Sequence, residues 1–282
     1  MSDWSPVAIL PNLSAKQEVG CEVVALASYH DPRVEAICAA RPEFKELLSR
    51  FTDAFGVSLV PVVFIVRDDA KAMLARSLAL LSFRDLVVMS IIPYARSLKL
   101  VYSNSNGIMY SNSFWLYPWM IGENNRRLYA ATPAFLEVQE VEQFHGQSSP
   151  DLPVKELCEV DEPLFKALLS RWKRHYIGNR QRWQDRALFR SLNMAVQAAQ
   201  LPAGIDTTIY DLGRMSALWV SAFEILAHPR IQDSGLRQVY PLLERVSYLE
   251  RDVGQRRYAA YMRASRKIPL PRGQQIRFKE SL

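Results

Sequence analysis

The sequence predicts an α+β protein in which a mixed α/β domain of residues 1–150 precedes an all-α helical bundle of residues 151–282. Two observations predict this fold class. Helical segments alternate with short β-branched segments in the first half, whereas every long segment of the second half has helical periodicity. The stretch GQSSPDLP, residues 146–153, collects Gly, Ser, Asp and Pro between the two halves. We therefore place a domain boundary there.

The first half contains an amphipathic segment from Pro32 to Phe55, with apolar residues spaced three and four apart. This spacing predicts a helix that is interrupted at Arg41-Pro42 and ended by Gly56. The following SLVPVVFIV, residues 58–66, is rich in β-branched residues and predicts a buried strand. Residues 70–81 return to helical periodicity.

A β-hairpin is predicted within LKLVYSNSNGIMYSNSFW, residues 98–115. Asn106-Gly107 favours a tight two-residue turn, because both positions tolerate positive φ. A turn there places Tyr102 opposite Ser111 and explains the repeated YSNS as paired strands.

The second half predicts four helices with short connections, as in a bundle of antiparallel neighbours. Asp206 or Thr207 is the expected N-cap of the third helix. The four predicted helices are residues 162–176, 186–200, 209–227 and 239–262.

Conventional metal, nucleotide and acyl-transfer enzymes are disfavoured, because the sequence lacks their usual motifs, although a catalytic triad can form without a local motif. The sequence has no Gly-rich phosphate loop, no His-Glu-x-x-His, no Cys-x-x-Cys and no G-x-S-x-G. We therefore expect no metal and no cofactor. No apolar run approaches the roughly 18 residues of a membrane helix, and the N-terminus does not resemble a secretion signal. Three widely spaced cysteines, Cys21, Cys38 and Cys158, indicate free thiols in a reducing cytoplasm.

Positive charge is concentrated in two places. The last 39 residues carry the whole formal net charge of +6. The stretch SRWKRHYIGNRQRWQDR, residues 170–186, interleaves cations with aromatic rings, which is the combination that single-stranded nucleic acid needs. The alternative is a solvated basic face with inward-packed tryptophans. Candidate phosphate-binding residues are Arg171, Lys173, Arg174, Arg182, Arg256 and Arg257, and candidate base-stacking residues are Trp172 and Trp183.

Glu224 lies in the apolar stretch ALWVSAFEILAH, residues 217–228. A carboxylate among such neighbours needs a cation or an interface, because burying it unpaired is costly. We expect an ion pair with Arg190 or Arg214, formed within the bundle or across a dimer. The alternative is that Glu224 belongs to a functional site.

RALFRSLNMAVQAAQLPAGIDTTIYDLGRMSALWVSAFEILAH and the later VYPLLERVSYLERDVGQRRYAAYMR resemble the helical part of bacterial HEPN (higher eukaryotes and prokaryotes nucleotide-binding) domain proteins. The resemblance covers residues 164–263 and implies a helical bundle that forms a homodimer and contacts RNA. HEPN nucleases cleave RNA without a metal, using an Arg and a His in the motif R-N-x-x-x-H. This chain lacks that motif. Its nearest candidates for a catalytic set are Arg171, Arg174 and His175.

These features lead to one functional hypothesis and two alternatives. We expect a HEPN-like, catalytically degenerate or truncated protein that binds single-stranded RNA through its basic, aromatic helical surface. The first alternative is a protein-interaction or regulatory module without a nucleic-acid ligand. The second is a metal-independent ribonuclease whose catalytic pair departs from the family motif.

Overall fold

The computed structural model describes residues 3–49, 51–52, 55–75, 78–99, 111–114, 116–118, 155–157, 160–178, 182–200, 208–228 and 239. The chain forms two compact units. The first comprises Met1–Leu80 and Ser111–Cys158, and the second comprises Leu81–Tyr110 and Glu159–Leu282. Helices and an antiparallel sheet are both present, so the fold class is α+β. The second unit includes Leu81–Tyr110, which a single boundary near residue 150 assigns to the first domain.

The first unit is built on an antiparallel sheet. The described strands of the unit, inside and outside this sheet, are β1 (Trp4–Leu10), β2 (Leu13–Ser14), β3 (Val19–Gly20), β4 (Val24–Ala27), β5 (Val62–Arg67), β6 (Tyr117–Pro118) and β7 (Lys155–Glu156). In the described residues the sheet order is β3-β4-β5-β1-β6, and β2 pairs separately with β7 in parallel. The central strand β5 is buried from Val62 to Val66, which confirms the buried strand predicted in this region.

Two short helices cover one face of this sheet. They are α1 (Pro32–Ala40) and α2 (Pro42–Ser49), separated at Arg41 as predicted, because Pro42 has no amide hydrogen to continue the helix. Their apolar residues form one cluster with Ile9, Val63 and Ile65 of the sheet. The prediction that the helix continues to Phe55 is wrong. Thr52 instead bridges to Ser58, across a turn in which Gly56 adopts a φ of 78°.

The helical segment predicted for residues 70–81 is two helices rather than one. The first is α3 (Asp68–Ala75) and the second is α4 (Ala79–Lys99), which extends much further than predicted. Pro93 lies inside α4, and a proline is ordinarily a reason to end a helix. The predicted hairpin at Asn106-Gly107 lies outside the described residues.

The second unit continues with α5 (Glu162–Trp172), α6 (Trp183–Ala199) and α7 (Ile209–Ala227), close to three of the predicted helices. Asp206 and Thr207 are not described, and Thr208 is the N-cap of α7, forming a reciprocal capping box with Asp211. Helix α6 packs against α7, and the Ser191 hydroxyl donates to the Ala222 carbonyl at 2.7 Å. The predicted helix 239–262 is outside the described residues except for Val239, which is helical.

Among the described residues, no helix is both long enough and apolar enough to cross a membrane.

Candidate functional site

The basic stretch of residues 170–186 begins at the end of α5, where the helix widens into a π turn over Lys173–Ile177. The Gly178 amide donates to the Lys173 carbonyl at 2.9 Å, which closes this wider turn. A side chain at Gly178 would place its Cβ 2.7 Å from the carbonyl oxygen of Arg174, so the turn requires a glycine there. Single π turns inside helices occur frequently at functional sites.

Asp185, in the first turn of α6, is fully buried and binds two arginines from α5 and the π turn. Arg174 forms a bidentate pair, with Nε donating to Oδ2 at 2.8 Å and Nη2 donating to Oδ1. Arg171 Nη1 donates to Oδ1 at 3.1 Å. We call these three residues the Asp185 clamp. Hydrogen bonds from Arg174 hold the pKa of the Asp185 carboxyl below its usual value despite burial, and Arg171 lowers that pKa further.

His175 is buried beside the clamp, with 7% of its surface exposed. Its ring stacks on Phe189 with centroids 5.8 Å apart, and meets Tyr176 edge-on. Its Nδ1 has no hydrogen-bond partner among the described residues. Burial lowers the pKa of the imidazole, and the Asp185 charge opposes this effect. A general base must reach its substrate's proton, so burial opposes the catalytic role considered for His175.

A second buried carboxylate, Asp85 of α4, lies in the same unit. Arg84 Nε donates to its Oδ1 at 2.8 Å, and Asn193 Nδ2 of α6 donates to its Oδ2 at 2.9 Å. Burial raises the pKa of Asp85, with Arg84 opposing. The hydroxyls of Ser82 and Tyr176 share a hydrogen bond of 2.6 Å. Polar contacts therefore join α4 to α6 and to the π turn.

The base-stacking role predicted for Trp172 is wrong. Its side chain is fully buried and packs edge-on against Phe83 of α4, with ring centroids 5.4 Å apart. A ring without exposed surface cannot stack on a nucleobase. Trp172 is instead an apolar anchor that joins α5 to α4.

Trp183 differs from Trp172 in its surroundings. It begins α6 with 36% of its surface exposed, and the guanidinium of Arg186 lies 5.9 Å from its ring centroid. Arg182 is exposed at the N-cap position just before it. The start of α6 therefore presents an aromatic ring with one cation beside it and an exposed cation directly before it in the sequence. Lys173 is half-buried, and Arg256 and Arg257 are outside the described residues.

The expected partner of Glu224 is not found within the described part of the chain. Glu224 is half-buried on α7, and no ion pair among the described residues joins it to Arg190 or Arg214. Hydrogen bonds from Thr208 lower the pKa of the Asp211 carboxyl, and the charge of Arg214 lowers that pKa further. A pair formed by Glu224 across a dimer stays a prediction.

The first unit contains a cavity of about 510 Å³ lined by residues of α1 and α2 and the loop before them: Tyr29, Glu35, Cys38, Ala39, Pro42 and Lys45. Burial raises the pKa of the Cys38 thiol, which disfavours the nucleophilic thiolate. Among the described residues, no group of three His, Cys, Asp or Glu side chains is placed to hold a metal.

Sequence reasoning identified Arg171, Arg174 and Trp183 but missed both buried aspartates. Asp185 is the single acidic residue in the basic stretch, directly before Arg186. That isolated opposite charge was the signal that could have found it.

Replacing each tryptophan of the basic stretch with alanine separates the two environments. Trp172→Ala leaves a large cavity in the core and is expected to lower the free energy of unfolding by about 3–5 kcal/mol. Trp183→Ala removes a partly exposed ring and is expected to cost less than about 1 kcal/mol. Urea unfolding followed by circular dichroism measures both. Equal losses would contradict the assignment of Trp172 to the core.

Substituting His175 tests its burial as a neutral imidazole. The pKa of His175 in the folded protein lies below the ordinary value of about 6.5. The unfolded chain therefore takes up a proton at His175 more readily than the folded chain, and the free energy of unfolding falls as the pH drops below about 6.5. Asp185 stays ionised over this range because its pKa is lowered. The urea unfolding midpoint of His175→Phe is therefore expected to fall less than that of the wild type when the pH is lowered from about 7.5 to 5.5. A variant with the same pH dependence as the wild type would contradict this account.

No protein-family model matches the chain, and no curated protein or solved structure is significantly similar to it.

Proposed function

We propose that the second unit binds single-stranded RNA through the exposed surface at the start of α6. One observation carries this proposal: the guanidinium of Arg186 lies beside the partly exposed ring of Trp183, next to exposed Arg182. The ring offers a face to a base, and the cations offer charge to the flanking phosphates. Arg171 and Arg174 extend the cationic surface, because their side chains are 48% and 33% exposed.

The resemblance to HEPN domains supports the same proposal. The similar segments include α6 and α7 and continue into the basic C-terminal residues, which carry Arg256 and Arg257. Members of that family contact RNA through a helical bundle and pair as dimers. This chain lacks the R-N-x-x-x-H motif, and His175 is buried. The proposed function is therefore binding without cleavage.

A second candidate function is a protein-interaction module, favoured by the apolar surface of α7. Of the α7 side chains that the structure describes, only Ala222 and Ala227 are buried. Large apolar side chains are exposed along the helix: Ile209, Tyr210, Val220, Phe223 and Leu226. Exposed apolar surface of this kind marks interaction sites. We take a second copy of this chain as the partner, which gives Glu224 an interface to face.

Fluorescence anisotropy of a labelled single-stranded RNA, titrated at low and physiological salt, tests RNA binding. Trp183→Ala is expected to weaken binding about tenfold, since stacking of one base is lost. Arg186→Glu is expected to weaken binding and to lower the salt slope by about 0.7, the value for one phosphate contact. Lys166→Glu is the matched control, because Lys166 is exposed on α5 and carries the same charge.

The control decides between a specific surface and general attraction. Equal effects of Arg186→Glu and Lys166→Glu would show that net charge alone attracts RNA, and would contradict the proposed surface. Absence of binding by the wild type at both salt concentrations would reject RNA as the ligand. A denaturing gel of the same samples is expected to show intact RNA, and cleavage lost in a variant of the site would support the ribonuclease instead.

Analytical ultracentrifugation tests the second candidate, the homodimer through α7. A homodimer through α7 is expected to dissociate in Phe223→Glu, because the substitution places a charge in an apolar interface. A monomeric wild type would contradict this candidate.

A further inference from the structure

The two arginines of the Asp185 clamp have donors that their partner does not use. Asp185 engages Nη1 of Arg171 and the Nε and Nη2 edge of Arg174. Nε and Nη2 of Arg171 and Nη1 of Arg174 make no hydrogen bond to any residue that the structure describes. Both side chains are partly exposed, whereas Asp185 has no exposed surface. The unused donors thus belong to side chains that reach solvent.

The buried carboxylate holds the guanidinium groups of Arg171 and Arg174 close together. Two cations repel each other, and in the absence of Asp185 they would separate into solvent. The cluster keeps a net charge of +1, because one carboxylate opposes two guanidiniums. Arginine donors that are fixed in advance lose less conformational entropy when they bind an anion. The cluster therefore has the charge, the donors and the rigidity of an oxyanion site.

We propose that the Asp185 clamp binds one phosphate group through Arg171 and Arg174, with Asp185 as the positioning residue. The ligand is a tetrahedral phosphate oxyanion, which either an RNA strand or free phosphate supplies. Where the phosphate belongs to RNA, this inference rests on the proposed function. Asp185 does not touch the phosphate and acts by holding the two arginines in place.

This inference and simple electrostatics predict opposite effects for loss of Asp185. Removing a negative charge beside an anion site ordinarily strengthens anion binding, because repulsion is lost. If Asp185 positions the arginines, its removal weakens binding even though the local positive charge rises. The sign of the change distinguishes a positioning role from a role of charge alone.

The test measures the affinity of the 282-residue chain for two ligands. Phosphorus NMR and calorimetry measure the binding of inorganic phosphate at constant ionic strength. Fluorescence anisotropy measures the binding of a labelled single-stranded RNA. Asp185→Asn is expected to weaken both affinities about tenfold, the equivalent of one lost charge-assisted hydrogen bond. Arg174→Lys keeps the charge but lacks the planar fork, and the same direction is expected. Glu162→Gln, which removes an exposed carboxylate from α5, is expected to leave both affinities unchanged or slightly stronger.

Each outcome separates the two proposals. Tighter phosphate binding by folded Asp185→Asn would overturn the positioning role. If Asp185→Asn unfolds, unchanged phosphate affinity in Arg174→Lys would overturn it instead. If the wild type binds inorganic phosphate but not RNA, the result would support phosphate binding by the Asp185 clamp and reject the proposed function. If the wild type binds RNA but not inorganic phosphate, and Asp185→Asn and Arg174→Lys bind RNA as the wild type does, the phosphate site is rejected and the proposed function stands.

Discussion

The ion pairs of the buried Asp185 carboxylate with Arg171 and Arg174 are the interactions on which the arrangement of α5 and α6 depends. Asp185 lies in the first turn of α6, has no exposed surface and binds arginines from the end of α5 and from the π turn. A buried charge is tolerated when it is paired and hydrogen-bonded, so this carboxylate restricts where α5 can end and α6 can begin. The same restriction buries His175 on one side and leaves Arg171 and Arg174 with outward donors. The ion pairs of Asp185 therefore underlie both the junction of α5 with α6 and the proposed binding of phosphate.

The two buried aspartates differ in the balance between charged hydrogen-bond donors, which lower a carboxyl pKa, and desolvation, which raises it. Asp185 receives hydrogen bonds from two guanidiniums, and its pKa falls despite burial. Asp85 receives one guanidinium and the amide of Asn193, and burial raises its pKa. Asp185 is thus suited to hold a permanent charge at neutral pH, which a fixed arginine pair requires. Asp85 joins α4 to α6, and the cation paired with it in the described residues, Arg84, has only 11% of its side chain exposed.

Local signals in the sequence predicted much of the fold, and non-local contacts explain the rest. The break at Pro42 and the start of α7 follow from local chemistry, so they were predictable. Most of α4 was not predicted from the sequence, and it contains Pro93, a residue that ordinarily ends a helix. In the site, Trp172 and Trp183 have similar basic neighbours in the sequence, and it is the contact with Phe83 of α4 that distinguishes the buried ring. Asp185 was missed because its role depends on arginines 11 and 14 residues away.

A double-mutant cycle between Asp185 and Arg174, using Asp185→Asn and Arg174→Gln, tests the central claim most directly. Urea unfolding would give the stability of the wild type, both single variants and the double variant. If the carboxylate holds the arginine, the double variant loses much less stability than the sum of the two single losses, because either change breaks the same interaction. Strictly additive losses would show that the two side chains act independently, and would contradict the account.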